Sequence, residues 1–145
     1  MARQAFETWW IGVPWGFDER WIAEGGYWHA WDRRRSVSVS STVITDEGGR
    51  PVTAAEMVDR FAGVVQGEPI AEAPDGLAAR ATVVRTEPGS IASRALTGFV
   101  AVDGRVLIAT ITSDDLEWAV RIWRSISYRP APIEASRPGR RAVLD

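Results

Sequence analysis

Two apolar stretches, residues 95–102 and 105–111, flank the dipeptide Asp103-Gly104, and no other segment constrains the chain as much. Asp-Gly between hydrophobic runs marks a two-residue β-hairpin, whose turn takes positive φ at both central positions. Such a turn dictates the pairing: Val102 faces Arg105, Val100 faces Leu107 and Phe99 faces Ile108. One face then carries Leu96, Val100, Val102, Leu107 and Ile111, and the other Thr97, Phe99, Ala101, Val106, Ile108 and Thr110. A sheet with one wet side alternates apolar with polar. Here both faces are apolar enough to need cover.

The remaining elements supply it. Residues 6–13 are aromatic-rich and loosely alternating, a first strand closed by Pro14. Residues 15–25 read as irregular, with Gly25-Gly26 as a turn signal. Residues 27–31 and 35–44 form the arms of a hairpin, and the stretch "DEGGRP" is a loop. Thr53 with Glu56 three residues later is a capping box. Ala54, Met57, Val58, Phe61, Val64 and Val65 follow at helical spacing, which predicts a helix over 53–66. After a Gly- and Pro-rich loop, 79–86 reads as a strand, followed by the Asp103-Gly104 hairpin. Ser113, Asp114 and Asp115 then place acceptors at the start of a helix ending near Tyr128. Three strands and a helix, twice over, give an α+β fold: a mostly antiparallel sheet of about six strands with two main helices. Residues 1–134 are expected to be one domain and 135–145 a flexible tail.

The stretch "GYWHAWDRRR", residues 26–35, concentrates rings, the single histidine and three arginines. With Asp32 opposite Arg35, Trp31 pairs with Ser36, Ala30 with Val37, His29 with Ser38 and Trp28 with Val39. A one-residue slip would mix polar and apolar side chains on each face. The favoured register sends Trp28, Ala30, Val37, Val39 and Val43 inward. It leaves Tyr27, His29 and Trp31 with Ser36, Ser38, Ser40 and Thr42 on the opposite side. Rings provide contact area at low entropic cost and hydroxyls provide adaptable hydrogen bonds, a combination suited to recognition.

Composition narrows the chemistry. Cysteine is absent, which removes disulfides and thiolate sites, and all 17 basic residues are arginine. Schiff-base and P-loop chemistry, both of which need a lysine amine, are therefore excluded. One histidine excludes sites built on several imidazoles within one chain. A formal charge of −2 argues against a general nucleic-acid binder. No apolar run is long enough to span a bilayer, and no charged-then-apolar leader opens the chain, so a cytoplasmic location is expected.

What remains is carboxylate chemistry, a Ser/His/Asp arrangement through His29, and binding. A triad of His29, Asp32 and a ladder serine fails on register, because His29 and Asp32 fall on opposite faces and no nucleophile elbow is present. Arg33, Arg34 and Arg35 form a candidate anion site, set against the plainer reading of a solvated turn. Of the six tryptophans in the first 31 residues, two are expected to be exposed and the rest to fill core. Asp114 and Asp115 are explained by helix capping, so neither metal nor cofactor is expected.

The succession "VPWGF", a central strand pair and helix, the hairpin "TGFVAVDGRVLIATIT" and the capped helix "SDDLEWAVRIWRSISY" resembles the PsbP-like group. That group includes DcrB-related bacterial proteins and the Ran-binding Mog proteins. The likeness is of element order and hydrophobic pattern, strongest over residues 79–128, and carries no functional residues across. It implies an α-β-α sandwich and an accessory, assembly or binding role. Some cytoplasmic DcrB-related members of similar length are chaperones that shield apolar segments of secreted toxins. The leaders of other members are missing here, which points away from a photosystem or envelope role. The expected function is thus a non-enzymatic adaptor or chaperone-like protein. It would hold a protein partner or its own twin on Tyr27, His29, Trp31, Phe99 and Ile108. The alternative is a small-molecule protein, or a weak enzyme, whose aromatics line a cavity.

Overall fold

The computed structural model describes residues 2–5, 8–22, 26–63 and 66–130. In chain order the elements are β1 (Ala2–Gln4), β2 (Trp9–Gly12), β3 (Asp18–Ile22), β4 (Tyr27–Trp31), β5 (Ser36–Val43) and α1 (Ala54–Ala62). Then come β6 (Glu68–Ile70), β7 (Ala78–Arg85), β8 (Arg94–Val102), β9 (Arg105–Ser113), α2 (Leu116–Arg124) and β10 (Ser127–Tyr128). The fold is α+β. A seven-stranded antiparallel sheet runs β3-β4-β5-β9-β8-β7-β6, and a small sheet runs β1-β2-β10. The expected tail, residues 135–145, lies outside the described residues, as do Val64 and Val65 of the expected first helix.

Both hairpin registers read from sequence hold. Val102 pairs with Arg105 and Phe99 with Ile108 in one; Trp31 pairs with Ser36 and His29 with Ser38 in the other. The turn chemistry differs from expectation. Gly104 takes φ +80°, whereas Asp103 keeps a negative φ. Tertiary bonds account for this. The Asp103 carboxylate accepts from Ala54 N–H at 2.9 Å, at the start of α1. Gly104 N–H donates to Val52 O, and Gly104 O accepts from Ile44 N–H, both at 2.8 Å. The turn thereby doubles as a socket for the segment entering α1.

Each face of the large sheet has its own core. On one, Leu96, Val100, Leu107, Ile111, Val37 and Val39 share an interior with Trp118, Ile122 and Trp123 of α2 and with Trp9 and Ile11 of β2. On the other, Phe99, Ala101 and Val106 pack with Met57, Val58 and Val52, with Phe61 alongside. One helix therefore lies on each side of the sheet. Strands as short as those of the small sheet do not persist alone. Their stability comes from burying Trp9, Ile11 and Val13, each worth roughly 1.5–3 kcal/mol for an apolar side chain of this size. Trp9 also donates to Ser41 Oγ at 3.2 Å and meets Tyr128 edge-on at 4.9 Å, tying the two sheets together.

Four short strands, β1, β3, β6 and β10, were not legible as strands. "DERWI" of β3 is mostly charged and lacks alternation; it is recruited because β4 presents an open edge. In β6, Pro69 is tolerated at the sheet's other edge, where one side of the strand needs no ladder donor. The helices are shorter than expected. Helix α1 stops at Gly63, and α2 stops at Ser125, whose hydroxyl accepts from Gly12 N–H at 2.8 Å and donates to Ile122 O at 2.5 Å. The chain is thus diverted into β10, beside β2.

Candidate functional site

Directly paired residues of antiparallel strands share a face. On the face that carries α1, β3 contributes Asp18, Arg20 and Ile22, and β4 contributes Tyr27, His29 and Trp31. Next come Ser36, Ser38, Ser40 and Thr42 of β5, then Thr112 and Thr110 of β9. Helix α1 packs on β7, β8 and β9. Among the described residues no helix packs on the β3–β5 part of this face, and Tyr27, His29 and Trp31 there are half-buried. The opposite side of the same strands is sealed by β2 and α2, so the platform has a rigid backing.

The rings are ordered by their neighbours. His29 stacks on Trp31 with centroids 5.1 Å apart and planes 20° apart. Its Nδ1 is 2.6 Å from Ser38 Oγ, and Ser36 Oγ hydrogen-bonds Thr112 Oγ1. Partial burial pushes the His29 pKa down, so the imidazole is neutral at neutral pH.

A base beside a hydroxyl is two-thirds of a nucleophilic triad, but the third part is elsewhere. The Asp32 carboxylate is engaged by Arg35, whose Nε and Nη2 donate at 3.0 and 2.7 Å, and by the N–H groups of Arg34 and Arg35. Partial burial raises the Asp32 pKa, but the Arg35 hydrogen bonds, the two N–H groups and the Arg35 charge together outweigh it and hold the carboxyl below its usual range. Among the described residues, the hydrogen-bond partner of His29 is Ser38 and no carboxylate. The strand amides beneath Ser38 face their neighbours in the ladder rather than converging on a substrate oxyanion. The geometry suits contact better than acyl transfer.

Of the five residues grouped in the expected surface, Phe99 is covered, while Ile108 stays half-buried on the same face, opposite Ser40. Phe99 is 6% exposed and stacks on Phe61 of α1 at 4.9 Å, and Ile108 packs against the same core. Helix α1 covers Phe99, so the open platform consists of Tyr27, His29 and Trp31 with the hydroxyl rows, bordered by Ile108. The arginine run also divides. Arg33 and Arg34 are exposed, but the Arg35 guanidinium lies 4.5 Å from the Trp118 ring centre and 5.0 Å from that of Phe17. Arg35 therefore joins the β4–β5 turn to α2 instead of reaching for an anion.

Two of the first six tryptophans, Trp15 and Trp21, are exposed. Trp15 was missed as a feature in its own right; the flanking Pro14 and Gly16 were its signal. Asp115 caps α2 by accepting from Trp118 N–H at 3.2 Å. Asp114 instead accepts from Ser93 N–H at 2.6 Å, and its hydrogen bonds with Ser93 hold its carboxyl below the usual range. Among the described residues no cluster of acidic and imidazole side chains is arranged to hold a metal. None of the three most pronounced surface clefts among the described residues is lined by an aromatic side chain. One lies between α1 and β6–β7, and its lining includes Ala55, Ala62, Ala78 and Ala81. No protein-family model, curated protein or solved structure matches the chain.

Proposed function

We propose that this protein is a non-enzymatic adaptor or chaperone-like protein, acting in the cytoplasm, that holds a protein partner or a second copy of itself on the β3–β5 platform. The observation that carries this reading is the half-covered face. Helix α1 packs on β7–β9 and leaves Tyr27, His29 and Trp31 beside rows of hydroxyls. Aromatic anchors surrounded by small polar groups bind well because few rotamers are frozen on contact. The resemblance to the PsbP-like group, with its accessory and binding members, points the same way. The alternative of a ligand cavity walled by aromatics draws no support from the three most pronounced clefts among the described residues.

The test compares a Tyr27→Ser/Trp31→Ser variant with the parent chain by sedimentation velocity and by capture from a native lysate. The variant is expected to lose association while keeping its melting temperature. Phe99→Ala is the control for a buried ring: it should cost about 3–5 kcal/mol of stability through the α1 contact. Association unchanged in the double variant would sink the platform.

A further inference from the structure

The large sheet ends in two strands, β3 and β6, each paired on one side among the described residues. An edge strand carries a row of backbone N–H and C=O groups that a further strand can pair. The two edges differ in what they accept. Strand β6 is three residues long and holds Pro69, which has no N–H to give to a ladder. Strand β3 is five residues long, contains no proline, and has Asp18, Glu19, Arg20 and Trp21 exposed.

The charges along β3 decide which strand can join it. Asp18 and Arg20 lie on the platform face, opposite Trp31 and His29 of β4, and Glu19 lies on the other face, opposite Ala30. Neither Asp18 nor Arg20 has a salt-bridge partner among the described residues, whereas Glu19 bonds Arg3 of β1 at 3.3 Å. Charged side chains on an edge keep foreign strands away. These charges are complementary to themselves. A two-fold axis normal to the sheet and passing through Glu19 sets an antiparallel copy of β3 against this one. Asp18 of each chain then stands opposite Arg20 of the other, giving two opposite-charge pairs by symmetry. The two Glu19 side chains meet on the other face, but each brings its own Arg3, so that cluster holds as many cations as carboxylates. Axes through Asp18 or Arg20 instead oppose like charges on the platform face, with no such compensation.

From this complementarity we infer that the β3 edge is a docking surface for a second copy of this chain, paired strand to strand about Glu19. The two seven-stranded sheets join into one. Because the axis is normal to the sheet, the Tyr27, His29 and Trp31 platforms of both copies open on the same side. The contact goes beyond the ring platform and uses different groups: backbone of β3 and the charges of Asp18 and Arg20.

Sedimentation velocity over a range of concentrations tests it with a charge swap. The parent chain should dimerise. Asp18→Arg or Arg20→Asp alone should weaken the dimer at least about tenfold with an unchanged melting temperature, since both side chains are exposed. Asp18→Arg/Arg20→Asp, which again opposes unlike charges, should recover it. In hydrogen exchange the dilute chain should exchange quickly at both edges, and concentrating it should slow β3 while leaving β6 as it was. A parent that sediments as a single copy throughout overturns the inference, as does a dimer indifferent to both reversals. A swapped variant no tighter than the single reversals overturns the register about Glu19. A dimer that persists in Tyr27→Ser/Trp31→Ser and breaks on charge reversal belongs to the edge. One lost in that variant and blind to charge at positions 18 and 20 belongs to the platform, and the edge assignment falls.

Discussion

Arg35 is the third of three consecutive arginines, yet its surroundings give it a different task from Arg33 and Arg34. Its guanidinium sits over the Phe17 and Trp118 rings while bonding Asp32 through two nitrogens, a joint that a flexible ammonium could not reproduce. Composition cannot distinguish the three; only packing does. His29 shows the same dependence and makes a measurable prediction. Burial lowers its folded pKa, so between that value and the unfolded value of about 6.5 the unfolded chain binds more protons. Stability is thus expected to be level above about pH 6.5 and to decline as pH falls below it. The lowered pKa values of Asp32 and Asp114 act in a more acidic window, where their stabilisation is lost as the folded carboxyls protonate. Urea midpoints measured across this range should slope less in His29→Gln. An unchanged slope would assign the effect to other groups.

At the scale of elements, the long apolar strands were readable because two-residue turns leave little freedom of register. Residues 79–86 and 95–111 appear as β7–β9 nearly where expected. The short strands were not readable, because β3, β6 and β10 owe their existence to a neighbour's free edge rather than to their own pattern. Gly98 belongs to the same category. It lies on β8 beneath α2, and a Cβ there would intrude on the Trp123 ring and come within 2.9 Å of Ala81 Cβ. The close approach lets Trp123 cross the sheet and donate to Glu72 O at 2.9 Å, fastening the loop before β7. Gly98→Ala is expected to destabilise by about 1–3 kcal/mol in a denaturant titration through overpacking. A neutral result would mean that α2 slides freely over the sheet.

For the whole molecule, the order of layers decides where contact is possible. Strands β8 and β9 lie between α1 and α2 and should exchange their amide hydrogens most slowly. The edge strands β3 and β6 have partners on one side and should exchange fastest. Hydrogen-exchange mass spectrometry reads this directly; equal protection across the sheet would contradict the two-core description. The Tyr27, His29 and Trp31 site was half legible on the same grounds. Period-two alternation placed the rings and hydroxyls together on one face. It could not say how far α1 reaches across that face, which is why Phe99, buried against Phe61, was grouped with the open rings.

Local rules acting over a few residues determined the α+β class, both hairpin registers and the starts of both helices. Steric limits on turns and the alternation of side chains operate without knowledge of the rest of the chain. Only the tertiary structure decided the small sheet, the early ends of the helices, the fastening of Arg35 and the extent of the open face. Each of these depends on surfaces brought together from distant parts of the chain, and the free energy that selects them comes from burying those surfaces against one another.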